Sequence, residues 1–150
     1  MKNNKKEFET FLEISASLTG FNKAELEGTG MQEDYFQIVM DRPRPVSDPS
    51  TPTNAELFLA ESAQIIKESK GDESKLNEAI ATRLMPDASY NGLAKKIITM
   101  WYNSTWGSDV ISPASYVQGL IWEAAQAHPP GAKQPGYGSW AIPPIEIPTK

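Results

Sequence analysis

A chain of 150 residues with 39% apolar and 22% charged side chains is one domain's worth of sequence, long enough for a single core. Its net charge of −5 argues against a general affinity for nucleic acid or anionic lipid. The absence of cysteine removes disulfides, thiolate chemistry, Fe–S clusters and c-type haem attachment from within the chain.

No apolar run approaches the ~18–20 residues that span a bilayer, so no direct membrane insertion is expected. The start, MKNNKKEFETF, is basic but has neither an apolar h-region nor paired arginines. As written, the chain is expected in the cytoplasm unless a partner carries it out.

Residues 1–6 read as a flexible start. Phe8, Phe11, Leu12, Ser15 and Leu18 then follow the spacing of an amphipathic helix, with Gly20 as its stop. Asn22 can cap a short helix through Glu27. After Gly28-Thr29-Gly30, the residues Met31, Tyr35, Ile38 and Val39 mark a third helix that ends at Asp41-Arg42-Pro43. Residues 42–53 carry Pro43, Pro45, Pro49 and Pro52 without periodicity, which predicts an extended surface connection inside one domain.

Asn54 is read as the cap of a helix bearing Leu57, Phe58, Ala60, Ile65 and Ile66, ended by Lys70-Gly71. Asp72 caps the next, with Leu76, Ile80 and Leu84 at i+4 spacing before Pro86. A further helix is expected from about Gly92, with Leu93, Ile97, Met100 and Trp101 on one face. Ser112 as N-cap and Pro113 at the first helical position open the last one. Tyr116, Val117, Leu120, Ile121 and Ala124 should form its buried face until His128-Pro129-Pro130-Gly131 ends it. No segment alternates with period two over strand length and no repeat is visible. The expectation is therefore all-α: one compact domain of about six or seven helices, followed by an extended Pro/Gly/Trp-containing tail over 129–150.

That tail belongs to a charge-poor third of the chain. Beyond residue 100 the charged residues are Asp109, Glu123, Lys133, Glu146 and Lys150, yet Trp101, Trp106, Trp122 and Trp140 all lie there. Trp101 and Trp122 sit by apolar helix faces and are expected in the core. Trp140 has no local core, which points to clamping of the tail over the helices or to contact with a partner; interface centres are depleted in charge and enriched in Trp and Tyr.

Catalytic signals are weak. His128 is the single histidine, so no paired-histidine zinc spacing exists, and a helix C-terminus favours its imidazolium over the base. The acids, Glu61 with Glu68 for instance, are spaced as solvated helix faces. Gly136-Tyr137-Gly138-Ser139 has no preceding strand, following helix or Gly-Lys-Ser ending, so it does not qualify as a phosphate loop.

Several of these residues carry a resemblance. Phe11-Leu12-Glu13-Ile14-Ser15 with Leu18-Thr19-Gly20-Phe21, Trp101-Tyr102, Tyr116 with Leu120-Ile121-Trp122, His128-Pro129-Pro130-Gly131 and Tyr137-Gly138-Ser139-Trp140-Ala141 together resemble a bacterial small (gamma) subunit. The family is that of membrane-bound FAD-dependent sugar and polyol dehydrogenases, the sorbitol, fructose and glucose dehydrogenase group. The resemblance spans nearly the whole chain apart from the proline-rich connection, and the C-terminal motif is its specific part.

The resemblance implies a non-catalytic chain that holds no cofactor itself. Its partner would be a large flavoprotein of the glucose–methanol–choline type that binds FAD and oxidises the sugar, with a multihaem cytochrome reached only indirectly. The small subunit would support folding, export and stability of the large one. The partner-binding residues would be Trp122, His128, Pro129, Pro130, Gly131, Tyr137, Gly138, Ser139 and Trp140. Two departures stand out. The twin-arginine export signal common in the family is not seen here, so a periplasmic location in the complex requires a removed signal or one supplied by the partner. Ser104 also stands where relatives often have glycine. The other readings are a free-standing cytoplasmic folding factor for a flavoprotein, and an independent enzyme using His128.

Overall fold

The computed structural model describes residues 2–41 and 51–127. The expected tail over 129–150 and residues 42–50 of the proline-rich connection lie outside the described residues. Within them the fold is all-α, with one two-stranded exception.

Helix α1 (Lys2–Thr19) is the element around which the others assemble, packing against α2 (Lys23–Gly28), α3 (Gln32–Asp41), α4 (Asn54–Ser69) and α6 (Ala88–Asn103). It begins at Lys2, so residues 2–6 are helical rather than a flexible start. Neither Gly nor Pro occurs before Gly20, so no residue there halts the helix. Phe11, Leu12, Ile14 and Ser15 are fully buried, with Phe8 and Leu18 half-buried. Gly20, at φ +80°, ends the helix with its N–H donating to the Ala16 carbonyl at 3.0 Å. Asn22 caps α2 in a capping box with Glu25, as its sequence predicts.

Three boundaries differ from expectation. The cap of α4 is Thr53, one residue before Asn54, because Thr53 and Glu56 complete a capping box. Helix α6 starts at Ala88 rather than near Gly92, since the Asp87 carboxylate accepts from the N–H groups of Ser89 and Tyr90. Helix α5 (Glu73–Ala79) is capped by Asp72 but passes into a π turn over Ile80–Leu84, closed by Met85 N–H donating to the Ile80 carbonyl at 3.0 Å.

The π turn has a packing reason. Residues four apart in an α-helix drift by about 40° around the axis. The wider turn takes up that drift between Ile80 and Leu84, and both are buried, beside half-buried Leu76. On the outer side Arg83 reaches back to α4, bonding Glu61 at 2.6 Å and also Glu68. Glu61 and Glu68 are therefore joined by a cation rather than merely solvated.

The core is aromatic where α1, α3 and α6 meet. Trp101 is stacked on Phe11 at 6.1 Å and meets Tyr35 edge-on at 4.8 Å, while Phe36 packs against Phe8 and Phe11. Beyond α6 a small antiparallel hairpin pairs β1 (Thr105–Trp106) with β2 (Asp109–Val110) around Gly107 at φ +63°. Two residues per strand are too few to leave a period-two signal.

The expected helix from Ser112 to His128 is broken. It consists of α7 (Pro113–Gln118) and α8 (Leu120–Ala124), separated by Gly119 in extended backbone at φ −55°, ψ 132°. Ser112 caps α7 as expected. Of the five residues expected on one buried face, Leu120 alone is buried. Tyr116 and Ile121 are 42% and 41% exposed, Ala124 is exposed and Val117 is half-buried. The break turns α8 relative to α7, so a single helical stripe no longer describes them.

Candidate partner-binding site

The C-terminal end of α6 is built as a joint. Ser104 ends the helix in the left-handed region at φ +61°, the conformation glycine adopts most easily. Its N–H donates to the Met100 carbonyl at 3.0 Å, its carbonyl accepts from Ile111 N–H at 3.0 Å, and its buried hydroxyl donates to the Ser115 carbonyl. Ser104 thus ties the end of α6 to both the hairpin exit and α7. Within α7, Ser112 and Ser115 cap each other: Ser115 N–H donates to Ser112 Oγ at 3.1 Å, and Ser112 N–H donates to Ser115 Oγ at 3.0 Å.

Gly119 closes the joint. A β-carbon there would lie 2.7 Å from the Tyr102 carbonyl oxygen and 3.3 Å from Ser104 Oγ. The backbone of the α7–α8 break therefore rests directly on the end of α6. Tyr102 in turn donates its hydroxyl to the Thr19 carbonyl at 2.7 Å and meets Phe21 edge-on, which joins this end of α6 to the end of α1.

Around this joint several apolar side chains stay partly or largely exposed. Trp122 is half-buried, donates its indole N–H to the Tyr116 carbonyl at 2.9 Å and meets the Tyr116 ring edge-on at 5.5 Å. Tyr116, Ile121 and, on β2, Val110 are the large apolar side chains left exposed in this part of the chain. Between α2 and α8 lies a groove of ≈ 500 Å³ whose lining includes Gly119, Leu120, Trp122 and Ala127. Of the expected partner-binding residues, Trp122 is placed here, as a surface-facing aromatic and not as the core residue also expected of it. His128, Pro129, Pro130, Gly131, Tyr137, Gly138, Ser139 and Trp140 lie outside the described residues.

Elsewhere the titrating groups have ordinary structural explanations. Burial, followed by the nearby Glu56 carboxylate, raises the Glu7 carboxyl above its usual value in the groove between α1 and α4. Glu56 itself accepts from Thr53 N–H at 2.6 Å as part of the α4 cap. A hydrogen bond from Lys23 lowers the Glu9 carboxyl. Burial raises the Tyr35 phenol, against a smaller opposing pull from the Ser104 and Ser115 hydroxyls, none of which is placed to hydrogen-bond it. Among the described residues no group of three His, Cys, Asp or Glu is placed to hold a metal ion. Among them, too, no helix is long and apolar enough to cross a membrane.

No family model, curated protein or solved structure matches the chain. The site therefore rests on its own geometry. Sequence reasoning missed Gly119, Ser104 and Ser115 as its supports. A signal for Gly119 was present: glycine inside a helical pattern marks either a cost or a close approach.

Proposed function

We propose that this chain is a non-catalytic small subunit that binds, stabilises and assists maturation of the FAD-containing large subunit of a sugar or polyol dehydrogenase. The observation that supports the binding role is the aromatic pair of exposed Tyr116 and half-buried Trp122, with Ile121 also exposed on α8, at the point from which the charge-poor last third of the chain continues beyond Ala127. Exposed aromatics backed by firm structure are the form that the energetic centre of an interface takes. The resemblance of the flanking motifs supplies the identity of the partner, a glucose–methanol–choline-type flavoprotein, with any cytochrome reached through it.

In this reading Tyr137 and Trp140 are anchors, and Pro129-Pro130 lower the ordering cost of the segment that carries them. FAD and the sugar belong to the large subunit. The test is native purification from the source cell. A co-eluting larger chain with a flavin absorption spectrum is expected, and Trp140→Ala should release it while leaving the helicity of the isolated chain unchanged. A colourless chain that elutes alone overturns the stable-subunit reading, and unchanged co-purification of Trp140→Ala overturns the role of the tail.

A further inference from the structure

The second turn of α6 carries a glycine that the helix itself does not call for. Glycine inside a helix costs stability relative to alanine, and a positive φ or a close neighbour is the usual reason to keep it. Gly92 has neither, since its φ is not positive and nothing lies within 4 Å of where a β-carbon would stand. The bare position instead lines a recess of ≈ 270 Å³, about the volume that nine waters fill in the liquid. Ala88, Gly92 and Lys96, at i, i+4 and i+8 on one face of α6, are exposed along it, with Leu93 buried behind them. Asn54 at the start of α4 bounds one side, its side-chain amide donating to the Ser89 carbonyl at 3.3 Å. Trp106 of β1 bounds another, with the Lys96 ammonium 5.4 Å from the centre of its ring.

Two donors in this lining lack an acceptor. Trp106 is only 9% exposed, yet its indole N–H has no partner among the described residues and is not one of the polar atoms enclosed without one, so it stays open to an acceptor. Lys96 forms no ion pair among the described residues. No carboxylate lines the recess, and Asp87, just before α6, is engaged by the N–H groups of Ser89 and Tyr90. The larger grooves differ. Between α1 and α4, Lys6 and Lys67 are matched by Glu7 and Glu56, and between α2 and α8 lie Glu25 and Glu123 without a cation. In a chain of net charge −5, a recess with a cation and no acid favours an anion.

We propose that this recess binds a small organic monocarboxylate, with its apolar body over the bare backbone at Gly92 and beside Ala88, and its carboxylate at the Lys96 ammonium and the Trp106 indole N–H. Two donors of different kinds fix the orientation of the carboxylate, and the missing side chain at Gly92 makes room for the body. The inference concerns a small ligand and does not depend on the identity of any partner chain.

The test is a titration of the full, nitrogen-15-labelled chain with benzoate, read at the Trp106 indole N–H resonance. A saturable shift is expected, with a dissociation constant of about 1 mM, as fits a small ligand in a shallow site. Lys96→Gln should weaken binding about fivefold, the scale of one solvent-facing charge pair. Gly92→Leu should abolish the shift while holding or raising the melting temperature, because it fills the recess with a better helix former; loss of binding is thereby separated from loss of fold. Acetate, which has the charge without the ring, and benzyl alcohol, which has the ring without the charge, should each bind several-fold more weakly than benzoate. A Trp106 resonance that stays unmoved at about 10 mM benzoate, or a shift that survives Gly92→Leu, overturns the proposal. Acetate binding as tightly as benzoate overturns the apolar seat, and benzyl alcohol doing so overturns the anion seat.

Discussion

Ser104 does two things that normally call for different residues. Its left-handed backbone suits glycine, while its buried hydroxyl serves the Ser115 carbonyl. The two demands can be separated. Ser104→Ala keeps the unfavourable backbone and loses the hydrogen bond, and should cost about 1–3 kcal/mol. Ser104→Gly loses the same bond but relieves a backbone strain of roughly 1–2 kcal/mol, so it should be the milder change. Urea denaturation midpoints of the two variants check the order. In a helix interior the order would be reversed. At Tyr35 the reverse situation holds, since its buried hydroxyl has no hydrogen-bond partner. Tyr35→Phe should therefore leave stability within about 1 kcal/mol of the parent, or raise it. Because burial raises the phenol's pKa in the folded chain, the unfolded chain releases that proton first as pH climbs past about 10. Stability should fall there with rising pH, and Tyr35→Phe should flatten that fall in thermal melts taken across the alkaline range.

At the scale of elements, sequence rules succeeded where a strong apolar stripe or a clear cap stood without an interrupting glycine. The apolar stripes made α1 beyond residue 6 and α3 legible, and the caps at Asn22 and Asp72 did the same for the starts of α2 and α5. The failures have local causes. Helix α6 begins with Ala88-Ser89-Tyr90-Asn91-Gly92, a run that composition reads as loop, but Asp87 satisfies two of its orphan N–H groups and so starts the helix early. The π turn was invisible because Leu76, Ile80 and Leu84 fit an α-helical pattern nearly as well. The α7–α8 break was hidden because periodicity survives a single non-helical residue, while a requirement for bare backbone at Gly119 is set by Tyr102 and Ser104, which are distant in sequence. Gly119→Ala tests this directly. Its backbone angles suit alanine, so any loss comes from the clash, and a cost of about 1–3 kcal/mol in chemical denaturation is expected, as for overpacking elsewhere. Gly28→Ala, with open space around it, should cost nothing measurable.

For the molecule as a whole, the all-α class and most of the core could be read from the chain. Phe11, Leu12, Tyr35, Phe58, Leu84, Ile97 and Trp101 all lie in the buried cluster. The site was less legible, because its supports come from three stretches that meet only through tertiary packing: the end of α6, the hairpin exit and the α7–α8 break. Trp101 is the side chain on which the whole assembly converges, touching Phe11 of α1 and Tyr35 of α3 from its place on α6. Trp101→Ala should cost about 3–5 kcal/mol, enough to unfold much of the population of a marginally stable domain, and loss of near-UV circular dichroism together with helicity would report it. Trp122→Ala, on the surface side of the same third of the chain, should leave the melting temperature close to the parent's while weakening partner capture. That contrast separates what the fold needs from what the surface does.

The joint at Gly119 also has a consequence for descent. A backbone pressed against a carbonyl oxygen leaves no room for a side chain, however much the exposed residues of α7 and α8 drift, whereas the left-handed backbone at position 104 is one that glycine also adopts readily. In any lineage that keeps this fold, glycine at 119 should persist while Tyr116 and Ile121 change with whatever surface they meet. A natural replacement at 119 would then be an inherited sign that the α7–α8 break itself had been rebuilt.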